Sequence, residues 1–341
     1  MSATRTSIDG AAWSCIVIVA IRWKNTDQSG RRWFSIYSWG GVNMSDELRN
    51  SRDTAYDKWR AKPNLNSPPG CLRLGVISDL HLGADGTAGP LGHSELFLQD
   101  DVMQQNLDLL VLNGDLTGNG IEGYPLVEEL FAKIHPVSYY LSGNTEARTA
   151  ETLARYHQIA QRPLDSVVVQ QGIRLVFLGV AEYGHEIPIA ASRIRWLEEQ
   201  LSDHQRTTIV FHHLPLADTV YNSGDLVTLF PGAYPFNTRV PADDSQAVRE
   251  VLRRHPEVKL WVSGHTHPDH RAVDRLGNAT THREMGCLHL AVTNLGYRKP
   301  TPEGRLIVVE PERILIRTRR FDSHQWVDEL SYECPGATTL Q

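Results

Sequence analysis

The ten residues LRLGVISDLH at positions 72–81 decide the fold class. Leu72, Leu74, Val76 and Ile77 form a short apolar run behind the turn signal Pro68-Pro69-Gly70, and its length is that of a strand rather than a helix. The run predicts a buried strand from Leu72 to Ser78 that stops on two ionisable residues, Asp79 and His81. Working outward, the same grammar recurs. Leu109 to Asn113 runs into Gly114-Asp115, Val137 to Leu141 into Ser142-Gly143-Asn144, Thr208 to Phe211 into His212-His213, and Leu260 to Ser263 into Gly264-His265-Thr266-His267. Helical patterns fall between the strands at Leu96–Leu107, Leu126–Ile134, Ala150–Gln161, Ser192–Leu201 and Ser245–His255. Further strands are expected at Val167–Val169, Leu175–Val180, Leu288–Thr293, Leu306–Val309 and Ile314–Arg317. Alternation first and consecutive strands late imply an α/β domain with one mixed sheet or two stacked sheets. Polar groups just beyond strand ends lie where open α/β folds place their ligands.

The chemistry of those strand ends is specific. In an extended chain residues i and i+2 face the same way, so Asp79 with His81, and His265 with His267, are expected to converge. Carboxylate oxygens with imidazole nitrogens suit borderline divalent ions such as Mn, Fe, Zn, Co or Ni. Gly114, Gly143 and Gly264 allow close approach of backbone to a ligand. Any one of these motifs is common, and Asn113-Gly114-Asp115 alone could be a plain turn. Five of them, each after an expected strand, offer too many ligands for one tetrahedral ion. Two metals bridged by a carboxylate are the economical reading.

The ordered blocks D-x-H, G-D, G-N-x-E, the doubled His and G-H-x-H resemble the calcineurin-like metallophosphoesterases over about residues 72–318. The likeness is nearest to their cyclic-nucleotide phosphodiesterase branch, through His212-His213 and Gly264 to Pro268. The resemblance implies a four-layer α/β/β/α sandwich with two mixed β-sheets and a dinuclear centre of two divalent ions. It implies Asp79, His81, Asp115 and His267 for one ion, and Asp115, Asn144, His212 and His265 for the other. His212 is preferred over His213 because it is nearer the strand. Asp115 would bridge the ions and position the nucleophile, with Asn144, Thr145 and His213 as further catalytic candidates. One departure matters: the family usually has His after the asparagine, and here Thr145 stands there. A threonine hydroxyl donates a hydrogen bond but cannot act as an acid near neutral pH. The G-D-x-V-D-R-G extension of the phosphoprotein phosphatases is absent from Gly114-Asp115-Leu116-Thr117-Gly118.

The expected activity is hydrolysis of a small, cyclic-nucleotide-like phosphodiester. A phosphomonoesterase, a repair nuclease and a metal-stabilised interaction scaffold are the alternatives. The long segment Asp218–Asp243 carries Tyr221, Phe230, Tyr234 and Phe236, which either stack on a base or pack the loop against the domain. His93, His185 and His270 are either surrogate acids or surface and supporting histidines.

Composition narrows the remaining classes. The 341 residues include 34 Lys plus Arg and 40 Asp plus Glu, a net charge of -6, which disfavours a nucleic-acid coat. With 41% apolar residues the chain can bury a sizeable core. Four scattered cysteines (Cys15, Cys71, Cys287, Cys334) support neither a disulfide framework nor a cysteine zinc site. The apolar run Cys15–Ile21 is too short to span a bilayer and is followed by Arg22-Trp23-Lys24, so it is expected to be a strand in a cytoplasmic protein. The expected organisation is an extension and linker over 1–70, the phosphoesterase-like domain over 71–320 and a tail over 321–341.

Overall fold

The central apolar runs become strands because they are buried on both faces, which selects continuous Val, Ile and Leu sequences. Leu72–Ile77 (β1), Leu109–Asn113 (β2) and Ser138–Leu141 (β3) pair in parallel, and all of β2 is buried. Glu303–Val309 (β10), Arg313–Arg320 (β11) and Gln325–Pro335 (β12) extend this sheet antiparallel from the other edge of β1, giving the order β12-β11-β10-β1-β2-β3. The second sheet holds Asp165–Gln170 (β4), Ile173–Leu178 (β5), Thr208–His212 (β6), Val258–Ser263 (β7), Thr281–Glu284 (β8) and Cys287–Ala291 (β9) in the order β4-β5-β6-β7-β9-β8. In this computed structural model the residues described are 71–83, 97, 99–100, 107–118, 120–131, 138–184, 186–224, 239–295 and 302–335.

Strand alternation builds the layers. Leu175 and Phe177 of β5 face the first sheet with Ile209, Phe211, Leu260 and Val262, meeting Leu74, Val76, Val111 and Ile307. Tyr139, Phe177 and Phe211 stack through this interior at centroid distances of 5.1 and 5.2 Å. The intervening residues Val176, Leu178 and Val210, with Trp261, face outward and are covered by helices. These are Ala191–Leu201 (α3) and Ala242–Arg254 (α4), which contribute Ile194, Leu197, Val248 and Val251. Tyr124–Phe131 (α1) and Ala150–Ala160 (α2) belong to the first sheet's side, where Tyr156 of α2 donates to the Tyr140 carbonyl of β3 at 2.9 Å. The fold is a four-layer α/β/β/α sandwich of two mixed sheets, the expected class.

Two differences from expectation are informative. Residues 321–341 are not simply a tail, since β12 completes the edge of the first sheet. Its buried residues Val327, Leu330 and Cys334 are spaced by three and four, because a register shift opposite Ile316–Thr318 breaks the period of two. The short strand β8 was also unexpected; its sequence Thr-His-Arg-Glu has no apolar residue and is held by pairing with β9. The expected helix at Leu96–Leu107, the extension 1–70 with its strand-like run, and most of 218–243 lie largely or wholly outside the described residues.

Glu284 at the end of β8 shows how that edge is held. Arg249 of α4 donates to both of its oxygens at 3.0 and 3.1 Å, and His289 Nε2 lies 3.1 Å away. Burial alone would raise this carboxyl; His289 and Arg249 outweigh it and hold it at about 2 instead of 4.5. A folded-state value below the unfolded one stabilises above pH 4.5, and the contribution fades as pH falls toward about 2. Glu284→Gln should therefore cost about 1–2 kcal/mol at pH 7 after solvent screening, and much less at pH 3. Urea unfolding at the two pH values measures this; a loss that is the same at both would assign the effect to packing alone.

Candidate metal centre

The centre lies at the ends of β1, β2, β3, β6 and β7, where the chain turns out of the sheets. Asp79, His81, Asp115, His265 and His267 all have left-handed backbones, with φ of 56°, 46°, 50°, 63° and 48°. The convergence of Asp79 with His81 and of His265 with His267 is therefore not the alternation of an extended chain, as expected from spacing. These pairs sit in tight turns beyond their strands. Such conformations cost non-glycine residues on the order of 1–3 kcal/mol each and persist where surroundings over-determine them. Here Asp79 N–H donates to the Gly114 carbonyl and His81 N–H to the Asp115 carbonyl, both at 3.0 Å, and His265 N–H donates to the Asp79 carboxylate at 3.2 Å.

Two glycines are required by crowding. Gly114 has φ of 89°, and a Cβ there would lie 2.4 Å from His213 Nδ1. A Cβ on Gly143 would lie 2.2 Å from Asp115 Oδ1.

Two groups of side chains emerge. Asp79, His81, Asp115 and His267 form one, and Asp115, His213 and His265 the other, each with donor atoms within 4.8 Å of one another. Asp115 is common to both. In the first, His267 Nε2 is 2.9 Å from Asp79 Oδ1 and 3.0 Å from His81 Nε2, and His81 Nε2 is 3.7 Å from Asp115 Oδ2. In the second, His213 Nε2 is 3.3 Å from Asp115 Oδ1. Asn144 adds its carboxamide, whose oxygen is turned toward the Asp115 carboxylate and His265 Nδ1. Turning the amide over would place its nitrogen 3.2 and 3.3 Å from the Asp115 oxygens and 2.9 Å from His265 Nδ1. A carboxylate shared among imidazoles, with a carboxamide beside it, is a donor set that fits a borderline divalent metal.

The doubled histidine is divided differently from expectation. His213, not His212, joins Asp115 and His265. His212 still belongs to β6 and points to the helix side of the second sheet, its Nδ1 2.8 Å from the Leu178 carbonyl and its ring edge-on to Trp261. The strand pleat turns the next residue the other way. His213 Nδ1 lies 2.8 Å from the Asn113 carbonyl, and a proton there leaves Nε2 as the ligand atom.

Electrostatics follow from burial. Desolvation would raise the Asp79 carboxyl, but His267 and His213 hold it at about 2. Burial and neighbouring His213 push His265 down to about 3, keeping it the neutral imidazole that metals bind.

Thr145, Glu146 and Asn294 support the centre. Thr145 donates to Asp115 Oδ1 through its backbone at 2.9 Å and its hydroxyl at 3.1 Å. Glu146 is fully buried and accepts the backbone N–H groups of Gly143 (2.7 Å), Asp115 (2.9 Å), Leu116 (2.9 Å) and Thr117 (3.2 Å). Asn294 Nδ2 lies 3.1 Å from His267 Nδ1, orienting that ring. Sequence reasoning assigned no role to Glu146 or Asn294. Asn294 follows strand β9, so the strand-end rule that found the other groups could have found it. His270 is buried, with Nδ1 2.8 Å from Glu303 and Nε2 accepting the Thr293 N–H, so it braces the loop that carries His267. His93, His185, Phe230, Tyr234 and Phe236 lie outside the described residues.

The family model for the calcineurin-like phosphoesterases matches residues 72–269, and the chain belongs to that family. A 3′,5′-cyclic-nucleotide phosphodiesterase from Nostoc sp. is 27% identical over 229 residues, covering 62% of this chain and 78% of that protein. A dimetal phosphatase from Danio rerio has a similar fold at 15% identity, with a TM-score of 0.53 over 79% of this chain and 99% of that one. Among the described residues no helix is long and apolar enough to cross a membrane.

Proposed function

We propose that the protein is a dinuclear metal-dependent phosphodiesterase acting on a small ester of the cyclic-nucleotide kind. The observation that carries this reading is Asp115, the residue common to two ligand groups at adjoining strand ends. The phosphodiesterase relative from Nostoc sp. supports the ester class. One ion would be held by Asp79, His81, Asp115 and His267, the other by Asp115, Asn144, His213 and His265. Bound there, divalent ions supply Lewis acidity toward phosphoryl oxygens and acidify a water. The chain's own part is positional. Asp115 is fixed by Thr145 and through the Glu146 loop, while Asn113 and Asn294 orient His213 and His267.

The two histidines give a direct test of the ligand set. His213→Ala is expected to lose one ion per chain and nearly all hydrolysis, whereas His212→Ala keeps both ions and loses only packing. Metal content by mass spectrometry reads this out, and the reverse pattern would return the ligand role to His212.

Thr145 bears on the substrate. Its hydroxyl is committed to Asp115 and Glu146, and it cannot protonate a leaving alkoxide. General acid assistance is worth about 10²–10⁴ in rate for poor leaving groups. Aryl diesters and strained cyclic phosphates should therefore be hydrolysed faster than unstrained dialkyl phosphates by a factor of about that size. Comparable rates on all three would show that another group supplies the proton.

A further inference from the structure

Among the described residues Tyr183 is the one exposed Phe, Trp or Tyr, with 52% of its surface open to solvent. A single exposed ring is ordinary by itself. Its place is not. Tyr183 stands on the segment that leaves β5, and Arg148 on the segment that leaves β3. The Arg148 guanidinium sits over the tyrosine ring, 5.1 Å from its centroid. Strands β3 and β5 face each other across the sandwich, where Tyr139 stacks on Phe177. Beyond the strand ends the two segments are joined at Ser142. Val180 N–H donates to the Ser142 hydroxyl at 2.8 Å, and that hydroxyl donates to the Val180 carbonyl at 3.0 Å.

Both members of the pair lead back to the metal centre. Arg148 N–H donates to the Thr145 carbonyl at 3.3 Å, which puts the two residues about one helical turn, ~5 Å, apart. Thr145 in turn holds Asp115 through its hydroxyl at 3.1 Å. On the other segment, three residues of chain carry Tyr183 no more than about 11 Å from Val180. Ser142, to which Val180 is bonded, stands two residues before Asn144. We propose that Tyr183, backed by Arg148, is the base-stacking wall of the substrate site, beside the ion assigned to Asp115, Asn144, His213 and His265. The proposal rests on the phosphodiesterase reading and adds its specificity: esters that carry a planar heteroaromatic group, as nucleotides do.

The chemistry follows from the two side chains. The guanidinium covers one face of the ring by a cation–π contact, and the open part of the ring is left to a planar ligand. Every nucleobase has a π-face, so such a wall selects nucleotides over alkyl phosphates without choosing strongly among bases. Arg148 is a positioning residue in this arrangement, because it acts on the ligand through the tyrosine ring. Holding the ring before the ligand arrives reduces the ordering cost of binding. The hydrogen bonds at Ser142 fix the wall relative to Asn144, so the phosphate end and the base end of one ligand are gripped by parts that move together.

The test measures binding of 5′-AMP, and of ribose 5-phosphate as the same phosphate without a base, to the full-length manganese-loaded protein by isothermal titration calorimetry. Wild type should bind 5′-AMP about 5- to 100-fold more tightly than ribose 5-phosphate. Tyr183→Ala should lose most of that difference by weakening 5′-AMP alone, and Tyr183→Phe should keep it. Arg148→Ala should weaken 5′-AMP about 2- to 5-fold. Ribose 5-phosphate should bind all four proteins within about two-fold, a readout that a merely structural loss would move. Equal affinity for the two ligands in wild type, or equal 5′-AMP affinity in wild type and Tyr183→Ala, would overturn the wall. Parallel loss of both ligands in Tyr183→Ala would overturn it too, leaving Tyr183 a packing residue. Hydrolysis of cyclic AMP is followed on the same preparations. A wild type that shows the Tyr183-dependent base preference yet leaves cyclic AMP intact would overturn the cyclic-nucleotide reading while supporting the wall.

Discussion

Asp115→Ala is expected to lower hydrolysis of an aryl phosphodiester by at least about 10³-fold and to reduce bound metal at both groups. Asp115 is reached by His81 at 3.7 Å, by His213 at 3.3 Å and by the Thr145 hydroxyl at 3.1 Å, and it alone belongs to both ligand groups. Its removal strips the shared negative charge from a buried set of imidazoles. Asp79, the other carboxylate of the first group, is already engaged by His267 and the His265 N–H. The check is metal content and turnover on the same preparation. A variant that retains two ions at the centre with ordinary turnover would overturn the dinuclear assignment.

The second large effect is expected at Glu146, which touches neither ligand group as a donor. Its carboxylate gathers four backbone N–H groups, three of them from consecutive residues 115–117 and the fourth from Gly143. It thereby ties the β2 turn carrying Asp115 to the β3 turn carrying Asn144. Glu146→Ala would leave those buried donors without an acceptor, at about 1–3 kcal/mol for each group left dry. Relaxation and entering water reduce the sum, so a loss of about 3–5 kcal/mol and a melting temperature lower by on the order of 10 °C are expected. Metal affinity should fall with it, because both turns are released together. Denaturant unfolding and metal titration check the pair of effects. A Glu146→Ala protein as stable as wild type would mean that the turns hold themselves.

What was legible from residues alone was whatever local patterning dictates. Short apolar runs such as Leu109–Leu112 read as doubly buried strands by their length and flanking turn residues, and they fall where expected. Strands whose burial depends on a partner were not legible. Thr281–Glu284 is apolar nowhere and exists through pairing with Cys287–Ala291, and β12 hides its period behind a register shift. The same limit divided the site.

The sequence by itself determined the family and the set of strand ends at which Asp79, Asp115, Asn144, His265 and His267 stand, because motif order and apolar runs are properties of the chain, while the choice between one mixed sheet and two stacked ones was left to strand pairing. Only the tertiary structure decided which of His212 and His213 faces Asp115, since a strand's last residue and its successor point to opposite faces and the sequence does not say where the strand stops. It also decided how Asp79 and His81 converge, through left-handed turns clamped by the Gly114 and Asp115 carbonyls of a neighbouring strand end. The pairing of Tyr183 with Arg148 is likewise tertiary, because they stand on segments leaving different sheets and only the packing of β3 against β5 brings those segments together.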